Sequence, residues 1–182
     1  MAFVHLHNHT EYSLLDGLTH VKDMVRRAAE LGMPAVAITD HGVMSGVPEL
    51  CDACDAVEKE TGKRVKPIYG CEVYFTTDEE LRKDVKPKLY HLLLLAKTNE
   101  GYHNLLHLVS ESHVDNFYYK PRTTISMLQK YGKGIIGSSA CIAGIIPKLL
   151  DNRQFDDAVE WANKFASCFE PGDFYIELQN QG

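Results

Sequence analysis

Residues 1–17, M-A-F-V-H-L-H-N-H-T-E-Y-S-L-L-D-G, decide how the chain is read. Taken as a strand, Phe3 to His9 sends alternate side chains to opposite faces. Phe3, His5, His7 and His9 then share one face, and Val4, Leu6 and Asn8 the other. A strand that starts apolar and finishes in imidazoles fits one whose C-terminal end opens into a polar site. Neutral imidazole is the commonest side-chain metal ligand. His7 and His9, two residues apart, stand roughly 7 Å apart along a strand, close enough for their rotamers to converge on one metal cluster. Asp16, just before the turn residue Gly17, adds a hard oxygen ligand to these nitrogens. One histidine alone would read as structural; H-x-H followed by Asp at a strand end reads as a metal site.

Composition narrows the class. The 182 residues suit one domain or part of a larger one, and 45% hydrophobic residues supply a substantial core. The net charge of −6 argues against a generally basic nucleic-acid surface, though not against a local basic groove. No apolar run reaches the roughly 18 residues of a membrane span, and no basic region followed by an apolar stretch marks a secretory signal. Five cysteines without framework spacing read as reduced thiols, hence a cytoplasmic location.

Outward from the opening stretch, strands and helices alternate. Thr19 is placed to cap a helix with Val21, Met24, Val25 and Ala28 on one stripe, ended by Gly32. Ala35 to Thr39 is a short buried strand, and Val47 to Lys59 a helix with Leu50, Cys54 and Val57 inward, stopped by Gly62. Val65 to Phe75 holds a third strand, Thr76 to Lys88 a solvated loop, and Tyr90 to Ala96 a strand apolar enough to be buried on both faces. A helix from Asn99 to Ser110, an irregular stretch from Ser112 to Thr124, and a short helix from Ile125 to Gln129 precede a fifth strand, Gly134 to Ser138. Phe155, Ala158, Ala162, Phe165 and Phe169 form a helical stripe, and Phe174 to Leu178 is a sixth strand.

This order predicts an α/β fold with a parallel sheet built from right-handed crossovers, open or closed into a barrel, with its site at the C-terminal strand ends. The polar residues follow that rule. His7 and His9 end the first strand, Asp40 and His41 the second, Glu72 lies late in the third, and Cys141 follows the fifth. His91, near the start of its strand, is the exception; either the boundary differs or that strand has another polarity. Mixed nitrogen, carboxylate and thiolate donors suit zinc, manganese or iron rather than calcium. So many donors exceed one tetrahedral site, so two or three metals are expected. Clustered metals suit phosphoester hydrolysis.

Here the residues resemble a known family. H-L-H-N-H-T, T-D-H-G, G-C-E-V-Y, H-L-L-L-L-A-K and S-S-A-C are similar to the successive motifs of the polymerase and histidinol phosphatase (PHP) domains. H-N-H-T-E-Y-S-L-L-D-G and F-Y-Y-K-P-R (Phe117 to Arg122) resemble, more narrowly, the PHP domain at the N-terminus of the bacterial DNA polymerase III alpha subunit. The resemblance implies a distorted (β/α)7 barrel, related in shape to a TIM barrel. It carries ligand roles to His7, His9, Asp16, His41, Glu72, His91 and Cys141, with Glu72, His9 and Asp16 at the catalytic centre and Glu72 as a metal-bridging carboxylate. The family's late Asp-x-His pair has no counterpart after Cys141. The expectation is therefore that residues 1–182 are one PHP domain cut before its last strand, a fragment without the polymerase domains.

Other features read more plainly. His103 and His107 have zinc-helix spacing, but Asn104 stands where a metalloprotease needs Glu, so a surface role is preferred. Cys51 and Cys54 lie in a helical stripe without a second pair and read as core thiols. His5 reads as a partner that orients a ligand imidazole, and His20 and His113 as surface histidines. Lys120 and Arg122 are candidate phosphate contacts, or else solvated charges or contacts to another domain. Glu177 has undecided parity. Three functions stay open. The first is a metal-dependent phosphoesterase within a replicative polymerase, acting as a 3′–5′ proofreading exonuclease. The second is a non-catalytic scaffold docking a separate exonuclease subunit. The third is a free-standing phosphatase of histidinol phosphate type, which F-Y-Y-K-P-R and S-L-L-D-G argue against. The first two imply DNA and other polymerase III holoenzyme subunits as partners.

Overall fold

Four consecutive apolar residues, Ala35–Ile38, form strand β1, and all four are buried. A strand this short without alternation is covered on both faces. The computed structural model describes residues 3–14, 16–81 and 88–180. The chain divides into two units, Met1–Cys71 and Glu72–Gly182.

In the first unit, helix α1 (Val21–Glu30) buries Val21, Val25, Ala28 and Ala29, one stripe at helical spacing, and packs on helix α2 (Val47–Thr61). α2 opens on a proline in its first turn and closes on Gly62 at φ 70°, the left-handed conformation glycine adopts without strain. β1 pairs in parallel with the first half of strand β2 (Lys66–Phe75), Ala35 opposite Lys66 through Ile38 opposite Tyr69. Two expectations change here. Phe3 to His9 is not a regular strand: Ala37 N of β1 donates to His5 O (3.1 Å), Thr39 N just past β1 to Asn8 O (3.0 Å), and the Asn8 side-chain amide to Ala37 O (3.0 Å). A side chain thus occupies part of the place a backbone ladder would take. Nor does Thr19 cap α1. His20 is the N-cap, without a side-chain cap bond, and the Glu11 carboxylate instead pairs with His20 and accepts from Val21 N (3.4 Å).

In the second unit the strands follow the order β4-β5-β2-β3-β6-β7. They are the end of β2, β3 (Tyr90–Ala96), β4 (Phe117–Tyr118), β5 (Lys120–Thr123), β6 (Ile135–Ser138) and β7 (Phe174–Tyr175). Leu92 to Leu95 of β3 are buried, as its composition predicts. Helices α3 (Asn99–Val114) and α4 (Ile125–Tyr131) pack together, as do α5 (Ile145–Asp151) and α6 (Phe155–Ala166). Phe75 meets Phe165 edge-on (4.9 Å) and Trp161 likewise (5.6 Å), an aromatic knot in the core.

The sheet is α/β as predicted, but of mixed polarity rather than purely parallel. β1–β2, β2–β5 and β6–β7 are parallel; β3–β6 and β4–β5 are antiparallel. The stretch 112–124, read as irregular, holds the β4–β5 hairpin, because β5 finds a partner in β2 that is remote in sequence. α3 runs on to Val114, and α5 is an element the sequence reading did not include; its Pro147 lies in the first turn, where a proline loses no helical bond. The α6 stripe starts at Ala158, since Phe155 is exposed, and β7 is shorter than the predicted Phe174 to Leu178. Of the predicted loop after Thr76, Asp78–Glu80 form one 3₁₀ turn capped by Thr77; residues 82–87 lie outside the described residues.

Gly101, in the first turn of α3, has its Cα against the Gly134 turn. A Cβ there would stand 1.7 Å from Gly134 O, an oxygen already accepting from Lys97 N (2.9 Å). Gly101→Ala is expected to destabilise the protein by about 2–4 kcal/mol. Gly62→Ala meets nothing within 4 Å and carries only the strain of its φ, about 1 kcal/mol. Denaturant melts of both variants check this; equal losses would mean that the close approach at Gly101 is not a constraint.

Candidate metal centre

In the first unit three of the predicted ligands converge. Asp16 Oδ2 lies 3.1 Å from His9 Nδ1 and 2.7 Å from His41 Nε2. The two imidazoles meet edge-on with centroids 4.0 Å apart, and the His7 ring lies 5.3 Å from that of His9. The donor atoms of His9, Asp16 and His41 are close enough together to hold one metal ion. Two imidazole nitrogens directed at one carboxylate oxygen are the donor chemistry of a borderline divalent cation. Partial burial pushes the Asp16 carboxyl up, but hydrogen bonds from His9 and His41 outweigh it and hold it below the usual value.

A residue outside the ligand set orders this cluster. Asp40, at the end of β1, is 1% exposed. Its Oδ1 accepts from Thr10 N (2.6 Å) and Ser13 Oγ (2.7 Å), and its Oδ2 from Thr10 Oγ1 (2.9 Å). Ser13 Oγ in turn accepts from His41 N (3.0 Å). The loop carrying Asp16 is therefore tied to the β1 end that carries His41. Sequence reading put Asp40 at a strand end but missed this role; the signal was T-E-Y-S, two hydroxyl residues spaced to reach one acid.

The second unit carries the rest of the predicted set. Glu72, 1% exposed, has Oε1 at 3.1 Å from His91 Nδ1 and 3.6 Å from Cys141 Sγ; that sulfur is 3.5 Å from His91 Nδ1. The polarity of β3 resolves the exception in the sequence pattern. Because β3 runs antiparallel to β6, with Leu93 opposite Ser138, its first residues lie at the same end as the last of β6. His91 N donates to Ala143 O (3.2 Å), beside Cys141. Burial pulls the His91 imidazole down, but hydrogen bonds to Cys141 and Glu72 outweigh it and raise its pKa. The Tyr74 ring, two residues past Glu72, sits edge-on to His91 at 5.5 Å.

The remaining candidates fall elsewhere. His5, predicted to orient a ligand, is exposed and packs edge-on against Phe3 (4.8 Å). His103 and His107 are exposed on α3. Burial pushes the Cys54 thiol up to about 11, which makes it an unreactive core group. Glu177 Oε2 accepts from Ser138 Oγ (3.1 Å). Lys120 is exposed, whereas Arg122 is 0% exposed, donating from Nε to Asn116 O (2.8 Å). Of the two candidate phosphate contacts, Lys120 is thus open to solvent and Arg122 is buried.

The PHP domain family matches residues 5–181, and the chain belongs to it. The DNA polymerase III subunit alpha of Borreliella burgdorferi is 42% identical over 99% of this chain and 15% of its own length. That of Helicobacter pylori is 41% identical over 100% and 15%, and that of Treponema pallidum 38% over 100% and 15%. The chain thus spans about 15% of the length of these relatives. Among solved structures, an amidohydrolase from Chromobacterium violaceum aligns with TM-score 0.43 and 17% identity, over 92% of this chain and 49% of that one.

Asp40→Asn keeps the volume but removes the charge that holds Thr10 and Ser13. It is expected to cost about 1–2 kcal/mol and to lower metal retention although every predicted ligand remains. Denaturation and elemental analysis read both. Wild-type values in both would mean that the clamp does not order the Asp16 loop.

Proposed function

We propose that the chain is a metal-dependent phosphoesterase domain of a bacterial DNA polymerase III alpha subunit, its hydrolytic substrate being the 3′ end of DNA. The observation that carries the reading is the pair of imidazole nitrogens on Asp16 Oδ2, at 3.1 and 2.7 Å. Hydrogen-bonded carboxylates and histidines are common, but two imidazole nitrogens gathered on one carboxylate oxygen give three donors close enough together to hold one ion. The proposed ligands are His7, His9, Asp16, His41, Glu72, His91 and Cys141, and the proposed metals zinc, manganese or iron at two or three positions.

A divalent cation, when bound, supplies a polarised phosphoryl oxygen and a water acidic enough to attack near neutral pH. The chain's own groups do the rest. Asp16, held ionised by His9 and His41, brings negative charge that offsets a cation. Glu72 contributes a carboxylate that is itself buried, where its charge is felt strongly. Its two oxygens can serve two ions. Cys141 Sγ and His91 Nδ1 both contact Glu72 Oε1. Lys120 is the proposed phosphate contact, as it reaches solvent where Arg122 does not.

The relatives' length supports a longer parent protein in which nucleotide addition belongs to other segments. On this reading the chain is its N-terminal PHP domain, its wider partners are DNA and other holoenzyme subunits, including a proofreading exonuclease subunit, and its location is the cytoplasm. Among the described residues no helix is long and apolar enough to cross a membrane.

Glu72→Gln is expected to lower bound metal, measured by elemental analysis after gel filtration, and to abolish release of nucleotide from the 3′ end of a labelled oligonucleotide. His103→Ala, on the exposed face of α3, is expected to change neither. Full stoichiometry and full hydrolysis in Glu72→Gln would remove Glu72 from the site. A wild-type chain that binds metal but cleaves no phosphoester would leave the scaffold role instead.

A further inference from the structure

The β4–β5 hairpin exposes groups that the core does not use. Tyr118 pairs with Lys120 across it, so Tyr119 alone forms the tip. Tyr119 has φ 61°, a left-handed conformation in which a bulky side chain is strained and glycine is not. Its ring is nevertheless 75% exposed, and Phe117 beside it is half exposed. The Tyr119 ring meets Tyr118 edge-on (4.8 Å) and Phe117 stacks on His113 (6.2 Å), so both rings keep a large face open to solvent. Lys120 extends from the hairpin over the Tyr74 ring, its Nζ 5.0 Å from the centroid. Tyr74 in turn abuts His91, which contacts Glu72. Within the second unit a strip runs from exposed aromatics through an ammonium group to a half-buried ring, and ends at the predicted metal ligands.

We infer that Phe117, Tyr119, Lys120 and Tyr74 form a docking strip for single-stranded nucleic acid beside the Glu72–His91–Cys141 cluster, an inference that rests on the phosphoesterase reading above. Single-strand binders combine aromatic faces, on which unpaired bases stack, with cations that follow the backbone. A duplex offers no free base faces to Tyr119 and Phe117, so the strip selects unpaired ends. Lys120, placed between the exposed rings and Tyr74, is positioned for the phosphate that links a stacked base to the next nucleotide. With a chain net charge of −6, such attraction is local to the strip.

The test is anisotropy of a fluorescein-labelled 12-nucleotide oligo(dT) with the 182-residue chain, titrated at several salt concentrations in chelator. Wild type is expected to bind oligo(dT) more tightly than the same length of duplex. Tyr119→Gly relieves the backbone strain, so it is expected to raise Tm while weakening oligo(dT) binding about five- to tenfold. A purely structural tyrosine would not separate those two readings. Lys120→Gln is expected to reduce the slope of log K against log salt by about 0.7. Both variants are expected to keep wild-type metal content. Unchanged oligo(dT) affinity in both variants, or no binding by wild type, overturns the strip. Unchanged affinity together with lost association to another polymerase subunit also overturns it, in favour of a protein-docking surface. If wild type holds metal and cleaves yet the variants bind normally, the phosphoesterase reading stands and only the strip fails; absent metal sinks the phosphoesterase reading whatever the hairpin does.

Discussion

A carboxylate taken out of water must be compensated by hydrogen bonds or an opposite charge, and each unit holds such a group beside its candidate ligands. Asp40 and Glu72 are both 1% exposed. Leaving either uncompensated would cost several kcal/mol. Asp40 is answered by the Thr10 amide and the hydroxyls of Thr10 and Ser13, all neutral donors. Glu72 is answered by an imidazole with a thiol alongside, and these are groups that can themselves take a metal. The difference in donor type separates Asp40, which holds a loop, from Glu72, for which a metal-binding role is proposed.

That distinction explains the local architecture. The Asp40 clamp ties Thr10 and Ser13 to the end of β1, near where Asp16 meets His9 and His41. Around Glu72 the work is done by strand polarity. An antiparallel β3 places its first histidine, rather than its last residue, level with the end of β6. The rule that sites gather at C-terminal strand ends holds for parallel strands; an antiparallel strand satisfies the same geometry with its N-terminal end. His91 looked exceptional for that reason alone.

Much of this was legible in residue order. Buried runs such as A-V-A-I and L-L-L-L marked β1 and β3, and helical spacing marked α1 and α2, because burial on one or both faces leaves a periodic trace. His9, Asp16, His41, Glu72, His91 and Cys141 stood out by residue type and position, and the structure brings His9 and His41 to Asp16, and His91 and Cys141 to Glu72. Elements whose identity depends on a distant partner were not legible. β5 is a strand because β2 lies beside it, and Phe3 to His9 falls short of one because the Asn8 side chain takes up a strand bond.

The sequence by itself therefore determined the class of fold, the chemistry of the donor set and the PHP family, since composition, period and motif are local properties of the chain. Tertiary structure decided which way β3 runs, that Asp40 clamps while Asp16 faces histidines, and that Arg122 is buried while Lys120 meets solvent. Lys120 and Arg122 stand two residues apart in one strand, and their charges are identical. Only the packing around the hairpin, with Asn116 O accepting from one and the Tyr74 ring lying under the other, gives them different surroundings and so different chemistry.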